Sequence, residues 1–110
     1  MSTSEITIEQ GSTNVYADLG YADAAEMQRK STLAAEIARC IKARGLSQTE
    51  AAQLLGIDQG KISRITRGMF RGVSEQKMLE LIAKLGHDVR IVVGPVKRNK
   101  APGKIRLEFA

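Results

Sequence analysis

The sequence predicts a mainly α fold with short β-strands confined to its C-terminal end. Capping residues and glycines punctuate the middle of the chain at Ser47, Gly56, Asp58, Ser74 and Gly86, and between them apolar residues recur at intervals of three and four. After Gly86 the period changes, and residues 88–93 and 105–109 alternate as strands do. A chain of 110 residues supports one core. With two Tyr, two Phe and no Trp, that core must be built from Leu, Ile, Val, Met and Ala, which suits packed helices. The expected organisation is an acidic lead over 1–22, a helical domain over 23–86 and C-terminal strands with a basic loop over 87–110.

At the start of the chain Ile6 and Ile8 alternate with Thr7 and Glu9, a pattern that fits a short edge strand and equally fits disorder. Val15, Tyr16, Leu19 and Tyr21 then form an amphipathic run able to fold over the helices. Asp23, with Glu26 three residues on, opens a long helix. Met27, Leu33, Ile37, Cys40 and Ile41 mark its apolar stripe, and Gly45 ends it. This helix is the expected scaffold.

Two short helices come next, joined by a tight turn. Ser47 and Glu50 form a capping box, Ala51, Ala52, Leu54 and Leu55 give a mostly apolar face, and Gly56 stops the first helix. Asp58 caps the second, whose Ile62 and Ile65 face inward while Gln59, Lys61, Ser63, Arg64 and Arg67 stay outside. Helices this short, so closely linked, must cross steeply and need a third helix to complete a core. Residues 69–72 read as a loop. Ser74 caps a further helix through Leu85, with Met78, Leu79, Leu81, Ile82 and Leu85 inside. Between the two terminal strands, Lys97, Arg98, Lys100 and Lys104 make a basic segment broken by Pro95 and Pro102, which reads as a mobile phosphate-seeking arm or a solvated hairpin loop. Unpaired strands must find each other, Ile6 to Ile8, or a second copy of the chain.

Gln48, Ala52, Gly56, Gln59, Ile62 and the closing Arg67-Gly68 stand at the spacing of the helix-turn-helix in the Cro/repressor-like (XRE) family, which this stretch resembles. The resemblance implies a five-helix repressor-like domain that reads double-stranded operator DNA with the second short helix. It implies base-reading roles for Gln59, Gly60, Lys61 and Arg64, and backbone contacts from Ser47, Gln48, Thr49, Ser63, Arg67 and Arg71. The chemistry agrees with those roles. An amide can both give and accept a hydrogen bond at adenine in the major groove, arginine can read guanine, and a helix N-terminus suits a phosphate. One departure is visible: Thr66 stands where relatives often carry an acid paired with an arginine near Ile41. Both partners are absent, so no buried charge is orphaned.

The acidic lead at 14–30 and the DVRIVV stretch at 88–93 extend the resemblance, more loosely, to HigA-type antitoxins. Such proteins repress their own operon as dimers and sequester a small basic toxin. A homodimer is also expected on physical grounds, because a helical core of roughly 60 residues buries only about 60% of its unfolded surface. The charge is asymmetric: residues 1–28 carry −5 and the remainder +10. A basic body suits a polyanion, and an acidic lead suits a basic protein.

Catalysis finds no support. There is no Gly-rich phosphate loop and no metal-ligand cluster in the sequence, so neither cofactor nor metal is expected. His87, the only histidine, reads as a surface residue at a helix end. Cys40 sits on the apolar stripe as an inert thiol and cannot form an internal disulfide. No signal-like leader and no membrane-length apolar run is present, and a cytoplasmic location is expected.

Overall fold

The structure, a computed structural model, describes residues 21–99 and 101–110. Its described part holds four helices and no strand: α1 (Tyr21–Ala43), α2 (Gln48–Leu55), α3 (Gln59–Thr66) and α4 (Glu75–Lys84). The long helix is the scaffold that the apolar stripe foretold. Leu33, Ala34, Ile37, Cys40 and Ile41 turn one face of α1 into the core, where they meet Ala51 and Leu55 of α2, Ile62 and Ile65 of α3, and Met78, Leu81 and Ile82 of α4.

The helix boundaries are set by local chemistry. At α2 the Glu50 amide donates to Ser47 Oγ at 3.1 Å and the Ser47 amide donates to Glu50 Oε1 at 2.8 Å, completing the capping box. The Ser47 amide holds the Glu50 carboxyl below its ordinary range. Asp58 and Ser74 cap α3 and α4 by accepting from the amides of Lys61 (2.8 Å) and Lys77 (3.0 Å). Gly56 ends α2 at φ 71°, a left-handed conformation costly for residues with a Cβ. Lys84 of α4 reaches across to donate to the Leu55 carbonyl at 3.1 Å, so α4 completes the end of α2.

Ion pairing joins the far end of the body. Arg29 of α1 forks onto Glu75 at 2.6 and 3.0 Å, and both side chains are largely shielded from solvent. Beside it the buried Lys30 donates to the Arg71 carbonyl at 3.4 Å. At the contact between α1 and α3, Ile41 is buried, and Thr66 bonds back to the carbonyls of Ile62 and Ser63 at 3.0 and 3.1 Å. The missing acid–arginine pair has thus left only satisfied groups.

Several expectations need correction. Leu54 is 43% exposed and lies outside the core, whereas Ala52 is half-buried against it. The loop expected at 69–72 is present, but Phe70 within it and Val73 just after it are buried: a turn in which the Val73 amide donates to the Phe70 carbonyl folds both side chains under the helices. The expected strands at 88–93 and 105–109 do not form a ladder. Ile91, Val92 and Val93 are 78, 80 and 91% exposed, and no partner edge stands beside them among the described residues. The C-terminal stretch instead leans on the helical body, with Leu107 half-buried on the core and the Ile105 carbonyl accepting from Arg29 Nη1 at 3.4 Å. No fifth helix is present among the described residues. Beyond α4 the β-branched run and two prolines disfavour one. The lead at 1–20, with the strand expected at Ile6 to Ile8, lies outside the described residues.

The placement of two neighbouring leucines on α2 makes a direct test. Leu55→Ala should lower the unfolding free energy by about 2–5 kcal/mol, and Leu54→Ala by less than about 1 kcal/mol, in urea titrations followed by circular dichroism. Equal losses would contradict the observed orientation of α2.

Candidate nucleic-acid interface

The outward surface of α3 is built by the same periodicity that buries Ile62 and Ile65. With those two side chains inside, Gln59, Gly60, Arg64 and Arg67 are left exposed, while Lys61 and Ser63 are half-buried at the margin. Ser47, Gln48 and Thr49 lie exposed at the N-terminus of α2. There the capping box engages the amides of Ser47 and Glu50. The other first-turn amides, those of Gln48 and Thr49, have no intrahelical acceptor and suit a phosphate oxygen.

The structure brings the two helix N-termini together through side chains. Thr49 Oγ1 donates to the Gln59 carboxamide oxygen at 3.4 Å, a weak contact across the turn. It ties Gln59, the first residue of α3, to the start of α2. The sequence placed Thr49 on the phosphate backbone and missed this second role; the only available signal was the separation of ten residues across a steep helix crossing.

Arg64 and Arg71 also come together, lining with Met69 and Phe70 an open groove of about 520 Å³ beside α3. Arg67 lies along its own helix, donating from Nε to the Ser63 carbonyl at 3.2 Å, which leaves its terminal nitrogens for other acceptors. Gly60 has a local reason to lack a side chain. A Cβ there would stand 3.1 Å from Asp58 Oδ1, the oxygen that caps α3, and 3.4 Å from an Arg64 nitrogen.

The electrostatics of this face are one-sided. Among the described residues the ion pairs of Lys and Arg are Arg29–Glu75, Arg39–Glu36 and Lys77–Glu80, so Lys61, Arg64, Arg67 and Arg71 keep their charges uncompensated. The nearby acids Glu50 and Asp58 are committed to capping. An exposed amide at the front of a short helix, flanked by unpaired cations and a free helix N-terminus, matches the layout of a duplex: base edges in the groove and phosphates on either side.

Comparisons with known proteins agree with this architecture. A family model described as a helix-turn-helix domain matches residues 15–94. A solved structure described as a putative XRE family transcriptional regulator is 35% identical, with a TM-score of 0.69, covering 80% of this chain and 99% of its own. No curated protein sequence matches the chain significantly. With the family model spanning most of its length and a solved relative this similar over nearly all of its own, the chain belongs to the XRE family of helix-turn-helix proteins.

Proposed function

We propose that the protein is a sequence-specific DNA-binding transcriptional regulator that works as a homodimer, represses its own operon and serves as the antitoxin to a small basic toxin. The observation that carries the DNA-binding part is the uncompensated basic face of α3 with Gln59 at its front, on a chain related to an XRE family transcriptional regulator. Gln59 reads a base together with Lys61 and Arg64, while Gln48, Thr49, Arg67 and Arg71 hold phosphates. No catalytic step belongs to this reading, and no cofactor enters it.

The dimer is supported by the apolar segment after α4. Val89, Ile91, Val92, Val93 and Val96 are all exposed, and a cluster of exposed apolar side chains of this kind favours an interaction surface. Two copies can pair these segments as strands, satisfying both the apolar side chains and the backbone edges. The antitoxin part is supported by the acidic charge of 1–28 and the looser resemblance to HigA-type proteins. A second reading, a stand-alone repressor, uses the same α3 face without a toxin. Copurification with the neighbouring gene product separates the two: a stoichiometric complex with a small basic protein supports the first.

Three outcomes test the reading. Gln59→Ala should weaken operator binding by about 1–3 kcal/mol per half-site while leaving random DNA unchanged, whereas Arg67→Ala should weaken both alike; equal losses for Gln59→Ala would remove it as a base reader. Replacing Ile91 and Val93 together by Lys, a change that touches no packed side chain, should dissociate the dimer in sedimentation and reduce operator affinity with it. A double variant sedimenting as the parent dimer would place the seam elsewhere. Neutralising Lys97, Arg98, Lys100 and Lys104 should flatten the log–log salt dependence of operator binding by roughly 0.9 per lost phosphate contact, with base preference intact. An unaltered slope would assign this segment to a solvated loop.

A further inference from the structure

On the side of the body where α1 and α4 end, the fold gathers three metal-ligating side chains that the sequence keeps far apart. Glu36 and Cys40 lie one turn apart on the same face of α1. His87 is 51 residues from Glu36 and arrives through the turn that ends α4. The Gly86 amide donates to Ala83 and the His87 amide to Ile82, with Gly86 at φ 110°, and this reversal aims the imidazole back at α1. Glu36 Oε2 stands 2.7 Å from His87 Nε2 and 3.3 Å from Cys40 Sγ, and all three donor atoms lie within 4.8 Å of one another. His87 does stand at the surface beyond the end of α4, as expected, with its side chain 38% exposed, but its ring is engaged by Glu36.

We propose that Glu36, Cys40 and His87 form a zinc-binding site with three protein ligands and a fourth position open to solvent. A tetrahedral zinc with bonds of about 2.0–2.3 Å holds its donor atoms roughly 3.3–3.6 Å apart. The sulfur–carboxylate separation already meets that; the imidazole has to withdraw from the carboxylate by about half an ångström and come within the same range of the sulfur, from which it stands no more than 4.8 Å. A thiolate, an imidazole and a carboxylate together make the borderline-soft donor set that zinc favours over magnesium or calcium. Glu36 and Cys40 are buried and His87 is half-buried, so the site is walled by protein on one side. On the other it opens into a groove of about 270 Å³ bounded by Arg39, Ala43, Arg44 and Gly86, which leaves room for a water or a small anion on the ion.

Arg39 holds the place that the zinc would take. Its guanidinium forks onto Glu36 at 2.8 and 2.6 Å and, with His87 adding to it against the effect of burial, holds that carboxyl at about 2. Burial and the neighbouring carboxylate push the Cys40 thiol up, so the pair is a carboxylate and a thiol, and zinc must displace the thiol proton as it binds. The Arg39 side chain is 63% exposed and can swing into solvent when an ion takes its place. The bound ion would tie the end of α4 to α1 beside Phe109, whose ring centroid lies 6.1 Å from that of His87.

The test is a titration of the reduced full-length chain with zinc, monitored by heat release, and with cobalt(II) as a coloured substitute. One ion per chain, a cobalt–thiolate charge-transfer band displaced by zinc, and a zinc-dependent rise in Tm are expected. Cys40→Ser and Glu36→Gln alter the packed interior, so His87→Ala and Arg39→Ala carry the decision. His87→Ala should weaken zinc at least about tenfold and abolish the rise in Tm. Arg39→Ala should tighten zinc by removing a competing cation, whereas an Arg39 that only supports the fold would give weaker binding on removal. A missing charge-transfer band at equimolar cobalt, unchanged affinity in His87→Ala, or weaker binding in Arg39→Ala would each overturn the site. None of these readouts involves DNA, so the test is independent of operator binding.

Discussion

Two helices of eight residues each are too short to persist in water, because the cost of nucleating a helix is not recovered over two turns. Everything about the basic surface of α3 therefore depends on one contact, the burial of Ile62 and Ile65 against the stripe of α1. That contact fixes which side of α3 looks out. It is dry and apolar, with Thr66 satisfied within its own helix where relatives often place an ion pair. Orientation of the candidate base-reading residues is thus a by-product of core packing.

Around this contact the cations are divided between two tasks. Arg29, Lys30, Arg39 and Lys84 are engaged by internal partners: Glu75, the Arg71 carbonyl, Glu36 and the Leu55 carbonyl. Arg29 and Lys84 hold α1 and α2 in register with α4. The cations of α3 and the turn after it have no acidic partner among the described residues. The acids divide in the same way, with Glu50 and Asp58 satisfying helix starts and so doing little to cancel the basic face.

The parts of the fold governed by local rules were legible in the sequence. Ser47, Asp58 and Ser74 are the caps that their positions suggested, and Gly56 is the stop, because a cap needs only a side chain within three residues of a free amide. What could not be read depends on distant neighbours. Leu54 and Leu55 are indistinguishable in composition, and only the direction in which α2 approaches α1 decides which is buried. Phe70 lies in a glycine-flanked loop whose turn drives it inward. The valine run at 89–93 has the composition of a strand, but a strand also needs an adjacent edge, and none is supplied within the described chain. His87 gave no signal at all, since its partner is 51 residues away. Among the site residues, the exposure of Gln59, Arg64 and Arg67 could be read from periodicity, while the contact between Thr49 and Gln59 and the grouping of Arg64 with Arg71 required the tertiary fold.

The crowding at Gly60 bears on how such a protein acquires new targets. Any side chain at that position presses on the Asp58 carboxylate, which is held by the Lys61 amide and has to give by a few tenths of an ångström at the expense of the cap. Drift toward a different operator therefore proceeds more readily through Gln59, Lys61 and Arg64 than through position 60 as long as Asp58 remains the cap. The repertoire of sequences that descendants of this chain can come to recognise is narrowed by a hydrogen bond at the start of α3.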